Sequence, residues 1–295
     1  MKKKILIVTL VLVAAFAIAA CGGGANGVNV EVSEDGNVEV NVGDDINVSV
    51  NGNGDDVEGA ITSLNDLAAP GIRIGVQNAT TGHIFADENF PDAEVDAYPL
   101  FGDAVMALLV GSIDAVIIDY LPGLQFVAAN EGRLMLLDGV LTEEYYGIAF
   151  QHGSEYTALF DDAINQLRAN GIFQAIYDYW IYELPGASRY VTPEGTEHPN
   201  GTLLMATSAG FPPFELWEGN QIVGFDPCLA QAIGDILGYQ IEIIDMDFGA
   251  IILSVQTGQV DFGMAGMTIR DDRREHVDFS QGYFSSGQRV LVRVS

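Results

Sequence analysis

Two stretches of this chain, Ile72–Trp180 and Gly201–Arg293, each alternate short apolar strands with helical segments, and a polar Pro/Gly-rich run, Pro185–Asn200, stands between them. Parallel strands need a long crossover, usually a helix, so this alternation points to parallel α/β units. In the first stretch strands are expected at Ile72–Val76, Val95–Tyr98, Ala115–Asp119 and Tyr145–Phe150. Helices should open at Thr80–Gly82, run through Leu109, and cover Glu155–Asn170 and Phe173–Trp180. In the second, strands are expected at Thr202–Thr207, Ile241–Ile244, Val260–Ala265 and Arg289–Val294, with a helix over Asp226–Leu237. At 295 residues the chain can hold two lobes of ordinary domain size.

The first 59 residues have a different character. Lys2–Lys4 precede an apolar run, Ile5–Ala20, which has signal-peptide proportions and is short for a membrane span. Its Ile-Ala-Ala-Cys ending resembles a bacterial lipobox, which implies cleavage after residue 20 and diacylglycerol on Cys21. The chain would then be extracytoplasmic and lipid-anchored. Cys228 is left as the lone free thiol, which excludes an internal disulfide; it reads as a packed small residue. Residues 21–59 form an acidic Val/Asn-rich segment in which Val28–Val32, Val38–Val42 and Ile46–Val50 alternate apolar and polar positions. Three such strands make a thin core, so an extended tether is expected, with a small meander as the alternative. All three lysines lie in residues 2–4, which leaves nine arginines against 41 acidic residues. That surface repels nucleic acid and anionic lipid and favours a soluble monomer. Adaptation to high salt and lineage drift explain the missing lysines equally well.

The two stretches together closely resemble the extracellular solute-binding proteins that feed polar amino acids to ABC importers. The resemblance rests on GTLLMATSAGFPPFELWEGNQIVGFDPCLAQAIGDIL, MDFGAII and AGMTIRDDRREHVDFSQGYFSSGQRVLVR in Gly201–Arg293, and on IRIGVQNATTG, GSIDAVIID, YYGIAF and LRANGIFQAIYDYW in Ile72–Trp180. It covers about 230 residues, but the continuation stands before the opening. It therefore implies a circularly permuted, two-lobed, periplasmic-binding-protein-like (type II) α/β fold, each lobe a mostly parallel sheet flanked by helices. The expected layout is a signal peptide (1–20), a tether (21–59), lobe 2 (60–146), a hinge strand and C-terminal helices of lobe 1 (147–184), a linker (185–200), and lobe 1 ending in the other hinge strand (201–295). One crossing, at Tyr145–Phe150, would then join the lobes, and a looser open form is expected.

A free amino acid presents a carboxylate beside an ammonium, so its site needs a planar cation, an anion and a shaped surface for the side chain. The resemblance implies Arg273 for the carboxylate, where a guanidinium offers two parallel hydrogen bonds, with Gly266 and Thr268 beside it. It implies Asp119 for the ammonium, at the C-terminal edge of a strand where open α/β sheets place ligands; capping of the next helix is the plainer role. Thr81, at a helix start suited to anions, gives a second carboxylate contact. Phe211 and Phe248 would sandwich the ligand's aliphatic stem, although aromatics near strand ends are more often core. Ser208 and Gln77 would read the side chain. Cation-selective members carry an acid at the first of these, so Ser208 favours a glutamine-like ligand. Two departures are Ala79, where Gly is common, and Arg270, where Thr often caps the helix; Asp271 is the expected replacement cap. His83, His152, His198 and His276 show no metal-ligand spacing, and neither a metal nor a cofactor is assigned.

The function expected is the substrate-binding component of an ABC amino-acid importer, with a membrane permease and ATPase as partners and no catalytic residue. A ligand-sensing module would ordinarily carry a transmembrane helix and signalling domain. A dehydratase-type enzyme on the same fold would need an acid or base, and none stands out.

Overall fold

The computed structural model describes Val28–Val32, Val38–Val42, Ile46–Val50 and residues 61–294. The signal peptide, Cys21 and most of the expected tether lie outside the described residues. The three short segments form an antiparallel sheet, β1 (Val28–Val32), β2 (Val38–Val42) and β3 (Ile46–Val50), in that order. Val30 is opposite Val40, and Val40 opposite Val48. Over these three segments the alternative meander, and not the mostly extended tether, is the form adopted, and strict alternation aligns the three triplets in one register.

Residues 61–295 are a separate compact unit. Its first half holds β4 (Arg73–Gln77), α1 (Thr81–Asn89), β5 (Glu94–Tyr98), α2 (Phe101–Leu109), β6 (Ala115–Asp119), α3 (Tyr120–Ala129), β7 (Leu134–Leu136), β8 (Glu144–Tyr146), β9 (Ala149–Phe150), α4 (Tyr156–Ala169) and α5 (Ile172–Trp180). After residues 185–200 come β10 (Thr202–Thr207), the hairpin β11 (Leu216–Glu218) and β12 (Gln221–Val223), α6 (Phe225–Leu237), β13 (Gln240–Asp245), α7 (Phe248–Gln256), β14 (Phe262–Gly263), α8 (Asp271–Arg274), β15 (Asp278–Phe279), β16 (Phe284–Ser286) and β17 (Gln288–Arg293). Among the described residues no helix is long and apolar enough to cross a membrane.

The strands build two five-stranded sheets, β5-β4-β6-β17-β7 and β13-β10-β14-β9-β15. In each, three strands run parallel, and the fourth is antiparallel and arrives from the other lobe. With each lobe's own strands counted from its first, both orders read second, first, third, visitor, fourth. This shared order, with helices on both sheets, is the two-lobed type II binding-protein fold. The central strands β4 and β6 are almost wholly buried, as expected when helices cover both faces of a parallel sheet.

The visiting strands correct the expected hinge. Gln288–Arg293 is not the end of the Arg273 lobe but a central strand of the Asp119 lobe, paired with β6 and β7. The chain thus crosses twice, between β8 and β9 and between β15 and β17, so the single crossing does not stand. Nor is Tyr145–Phe150 one strand. It breaks at Gly147, where a side chain would lie 2.7 Å from Ile269, and its halves join different sheets. β8 and β16 pair antiparallel between the lobes. Around them Tyr146 contacts the rings of Phe211, Phe214, Tyr283 and Phe284 at centroid distances of 5.2–6.4 Å. The expected strand Val260–Ala265 shrinks to the two residues that pair with β10 and β9.

Residues 185–200 carry no helix or strand, yet they are fastened to α6. Tyr190, Thr192 and His198 all hydrogen-bond the Asp235 carboxylate. Burial opposes its charge, but these bonds and one from Gln231 hold it below the ordinary carboxylate range. Cys228 is buried and accepts the Trp180 indole N–H at 3.1 Å.

Candidate functional site

The strands β4, β6 and β10 end at the cleft between the lobes, at the carboxyl edge where an α/β sheet leaves room for a ligand. One pocket there is lined by all nine residues expected to touch a ligand. Gln77, Thr81 and Asp119 come from one lobe; Ser208, Phe211, Phe248, Gly266, Thr268 and Arg273 come from the other. Thr80, Phe101, Glu215 and Ala265 also line it.

Arg273 is 5% exposed. Its guanidinium donates to the Thr268 carbonyl at 2.9 Å and, across the cleft, to the Ala79 carbonyl at 3.1 Å. It also lies 5.3 Å from the Phe248 ring centroid. None of the ion pairs among the described residues includes it. Burial lowers its pKa to about 10, so it stays charged at neutral pH. A buried cation in this position retains the capacity to bind an anion. Ala79, which replaces the common glycine, has φ 62°. The left-handed backbone persists despite the methyl and turns the Ala79 carbonyl to Arg273. Arg270, not Asp271, is the residue before α8, and it caps with no side-chain bond. Its guanidinium instead takes Asp272 at 2.9 Å.

Gly266 has φ 52°, and a Cβ there would lie 2.5 Å from the Phe211 ring. A side chain at this position would displace the aromatic wall. Phe211 stacks on Phe101 and Phe214 at 5.7 and 5.6 Å, so it is both core and cavity wall. Thr81 opens α1, which Thr80 caps by accepting the His83 N–H at 3.2 Å. The first-turn N–H groups of α1 therefore lie at the cavity without helical partners.

Asp119 sits at the N-cap position of α3 but caps nothing with its side chain. It accepts Tyr146 O–H at 2.5 Å and Ser286 O–H at 3.4 Å. Burial first, then the nearby Glu144 charge, raise its pKa to about 7. Gln77 gives one amide N–H to the Pro99 carbonyl at 2.9 Å, which leaves its carbonyl and its second N–H available to a ligand. The Ser208 hydroxyl is buried without a partner.

Two acids were missed by the sequence reading. Glu144 accepts Thr81 and Thr268 hydroxyls at 3.0 and 2.6 Å, tying the lobes together, and Thr142 at 2.6 Å. Glu215 is 1% exposed and lines the cavity. Its one sequence signal is position: an acid directly after the apolar FPPF. Among the described residues no group of three His, Cys, Asp or Glu could hold a metal ion.

Residues 203–295 match the bacterial extracellular solute-binding proteins, family 3. The arginine-binding extracellular protein ArtP of Bacillus subtilis (strain 168) is 42% identical over 99 residues, which are 34% of this chain and 39% of that protein. A probable histidine-binding protein of Neisseria gonorrhoeae is 33% identical over 96 residues, covering 32% of this chain and 36% of that protein. Among solved structures, the arginine-bound form of domain 1 from TmArgBP is 39% identical, over 32% of this chain and 81% of that one, with a TM-score of 0.28. The chain spans 39% and 36% of the length of these two curated relatives.

Proposed function

We propose that this chain, whose residues 203–295 match the bacterial extracellular solute-binding proteins, family 3, binds a polar L-amino acid between its lobes and delivers it to the permease of an ABC importer. The observation that carries this reading is that Arg273, buried and outside every ion pair among the described residues, lines one pocket with the buried Asp119 of the other lobe. Arg273, with the α1 N-terminus at Thr81 and the Thr268 segment, would hold the α-carboxylate. Asp119 would take the ammonium, and Phe211 and Phe248 would enclose the stem. For the side chain, the relatives named for arginine and histidine support a cationic ligand over the glutamine-like one that Ser208 suggested. The anchored, extracytoplasmic placement through Cys21 belongs to the same proposal.

The chain order completes it. We read the Asp119 lobe as the family's second lobe placed before its first, a circular permutation in which residues 185–200 make the connection. Both crossings survive, so the site is assembled as it would be in the ordinary order.

Calorimetric titration against the twenty L-amino acids tests the reading. A cationic amino acid should bind, and Arg273→Ala should weaken it roughly thirty-fold or more, given about 2–5 kcal/mol for one partner of a buried charge pair. Binding of no amino acid, or equal binding by the variant, would overturn it.

A further inference from the structure

Behind the cavity wall lies a pair of carboxyls with no cation. Glu215 is 1% exposed and Asp226 fully buried, and the two carboxyls lie close enough for each to act on the other's charge. Local backbone fixes both. Gly210 and Phe211 N–H groups close onto the Glu215 carbonyl at 3.1 and 2.9 Å, while the Asp226 N–H on the first turn of α6 takes the Phe214 carbonyl at 3.1 Å. One Asp226 oxygen is satisfied by the Gly266 N–H at 2.9 Å and Tyr283 O–H at 2.8 Å. Its other oxygen and Glu215 Oε2 have no donor, and neither acid belongs to any ion pair among the described residues. Two like charges so placed cannot both persist, so the pair holds one proton. Besides Tyr283, the titratable groups facing Glu215 are Asp119 and Asp245, with Arg273 across the cavity. Burial and Asp226 accordingly push Glu215 well above the usual carboxylate range.

With Arg273 and Asp119 given to the α-groups, the polar groups left in the cavity are the Gln77 amide, the Ser208 hydroxyl and Glu215. All three accept hydrogen bonds. A guanidinium or imidazolium donates to all three and brings the cation that the buried Glu215 lacks, whereas a neutral amide brings no charge to it.

We propose that Glu215 is the specificity-determining acid of this cavity, taking the cationic head of the bound amino acid while the proton it shares with Asp226 passes to solvent. Before binding, the pair is one O–H and one carboxylate; afterwards it is two carboxylates and the ligand's cation. The cluster keeps the same net charge, and one proton goes to the buffer. Glu215 thus replaces the acid absent at Ser208, reached from seven residues further along the chain. This rests on the amino-acid reading above.

The test compares L-arginine with L-citrulline, its neutral isostere, by calorimetry at pH 7 in phosphate and in Tris, whose ionisation enthalpies differ. Any proton lost by Asp119 is lost to both ligands alike, so the difference between them reports on the pair. Arginine should release up to one proton more than citrulline and bind at least tenfold tighter. Glu215→Gln should abolish both differences, and the wild-type comparison stands even if that variant does not fold. Equal affinity and equal proton release in the wild type overturn the role of Glu215 alone. Binding of neither ligand, nor of any other amino acid, overturns the amino-acid reading itself.

Discussion

A guanidinium removed from water and given only two carbonyls is half satisfied, and Arg273 is in that position. An arriving carboxylate would supply the missing charge, which is the ground for proposing the residue as a receptor as well as a brace across the cleft. Asp119 is the complementary case. Its pKa is raised to about 7, chiefly through burial and then through Glu144. Only the ionised form pairs with an ammonium, and a bound ammonium lowers this pKa. The contribution of Asp119 to affinity should therefore hold level above about pH 7 and fall by about tenfold per unit below it, added to the slope from the Glu215–Asp226 pair, because binding must then expel its proton. Titrations of L-arginine from pH 5 to 8 check this, with Asp119→Asn expected to bind more weakly and to lose one proton's worth of slope. An affinity that stays flat down to pH 5 contradicts the role of Asp119.

At the scale of elements, local pattern carried far. The sequence places the strand–helix alternation, the Thr80–Thr81 helix start and the helix from Asp226, and each forms within a residue or two. These are decided by neighbours along the chain: apolar periodicity, a capping hydroxyl, a helix stop. What was illegible depends on partners far apart in sequence. β17 reads as the end of its own lobe, yet its buried positions are satisfied only between β6 and β7 of the other. At the Gly147 break the backbone packs against Ile269, more than a hundred residues away. Glu144 and Glu215 were hidden for a different reason. Among 41 acidic residues an acid is no signal, and only the fold reveals that one meets two threonines across the cleft while the other is buried beside Asp226. All nine candidate residues were named in advance from motif correspondence; propensity alone would not have singled out Ser208 or Gln77.

At the scale of the whole molecule, two sheets of the same strand order exchange one strand each, and the cleft lies between them. Two crossings and the β8–β16 pair constrain the hinge, so the looser open form expected from a single crossing is withdrawn. Chain order should then matter little to binding. A protein reordered to start at Gly201, pass from Ser295 into Ala60 and end after Trp180 should bind the same amino acid with affinity within a few-fold; a well-folded reordered chain with a different ligand would break the correspondence between the halves. The central claim is that one cavity holds both α-groups of an amino acid, its carboxylate on Arg273 and its ammonium on Asp119. Calorimetric titration of the intact chain with L-arginine, its α-carboxamide and its Nα-acetyl derivative tests this most directly. Each derivative removes one charge while keeping the side chain, so each should bind at least roughly thirty-fold more weakly than L-arginine. Equal affinity for all three would show that the cleft does not read the α-groups.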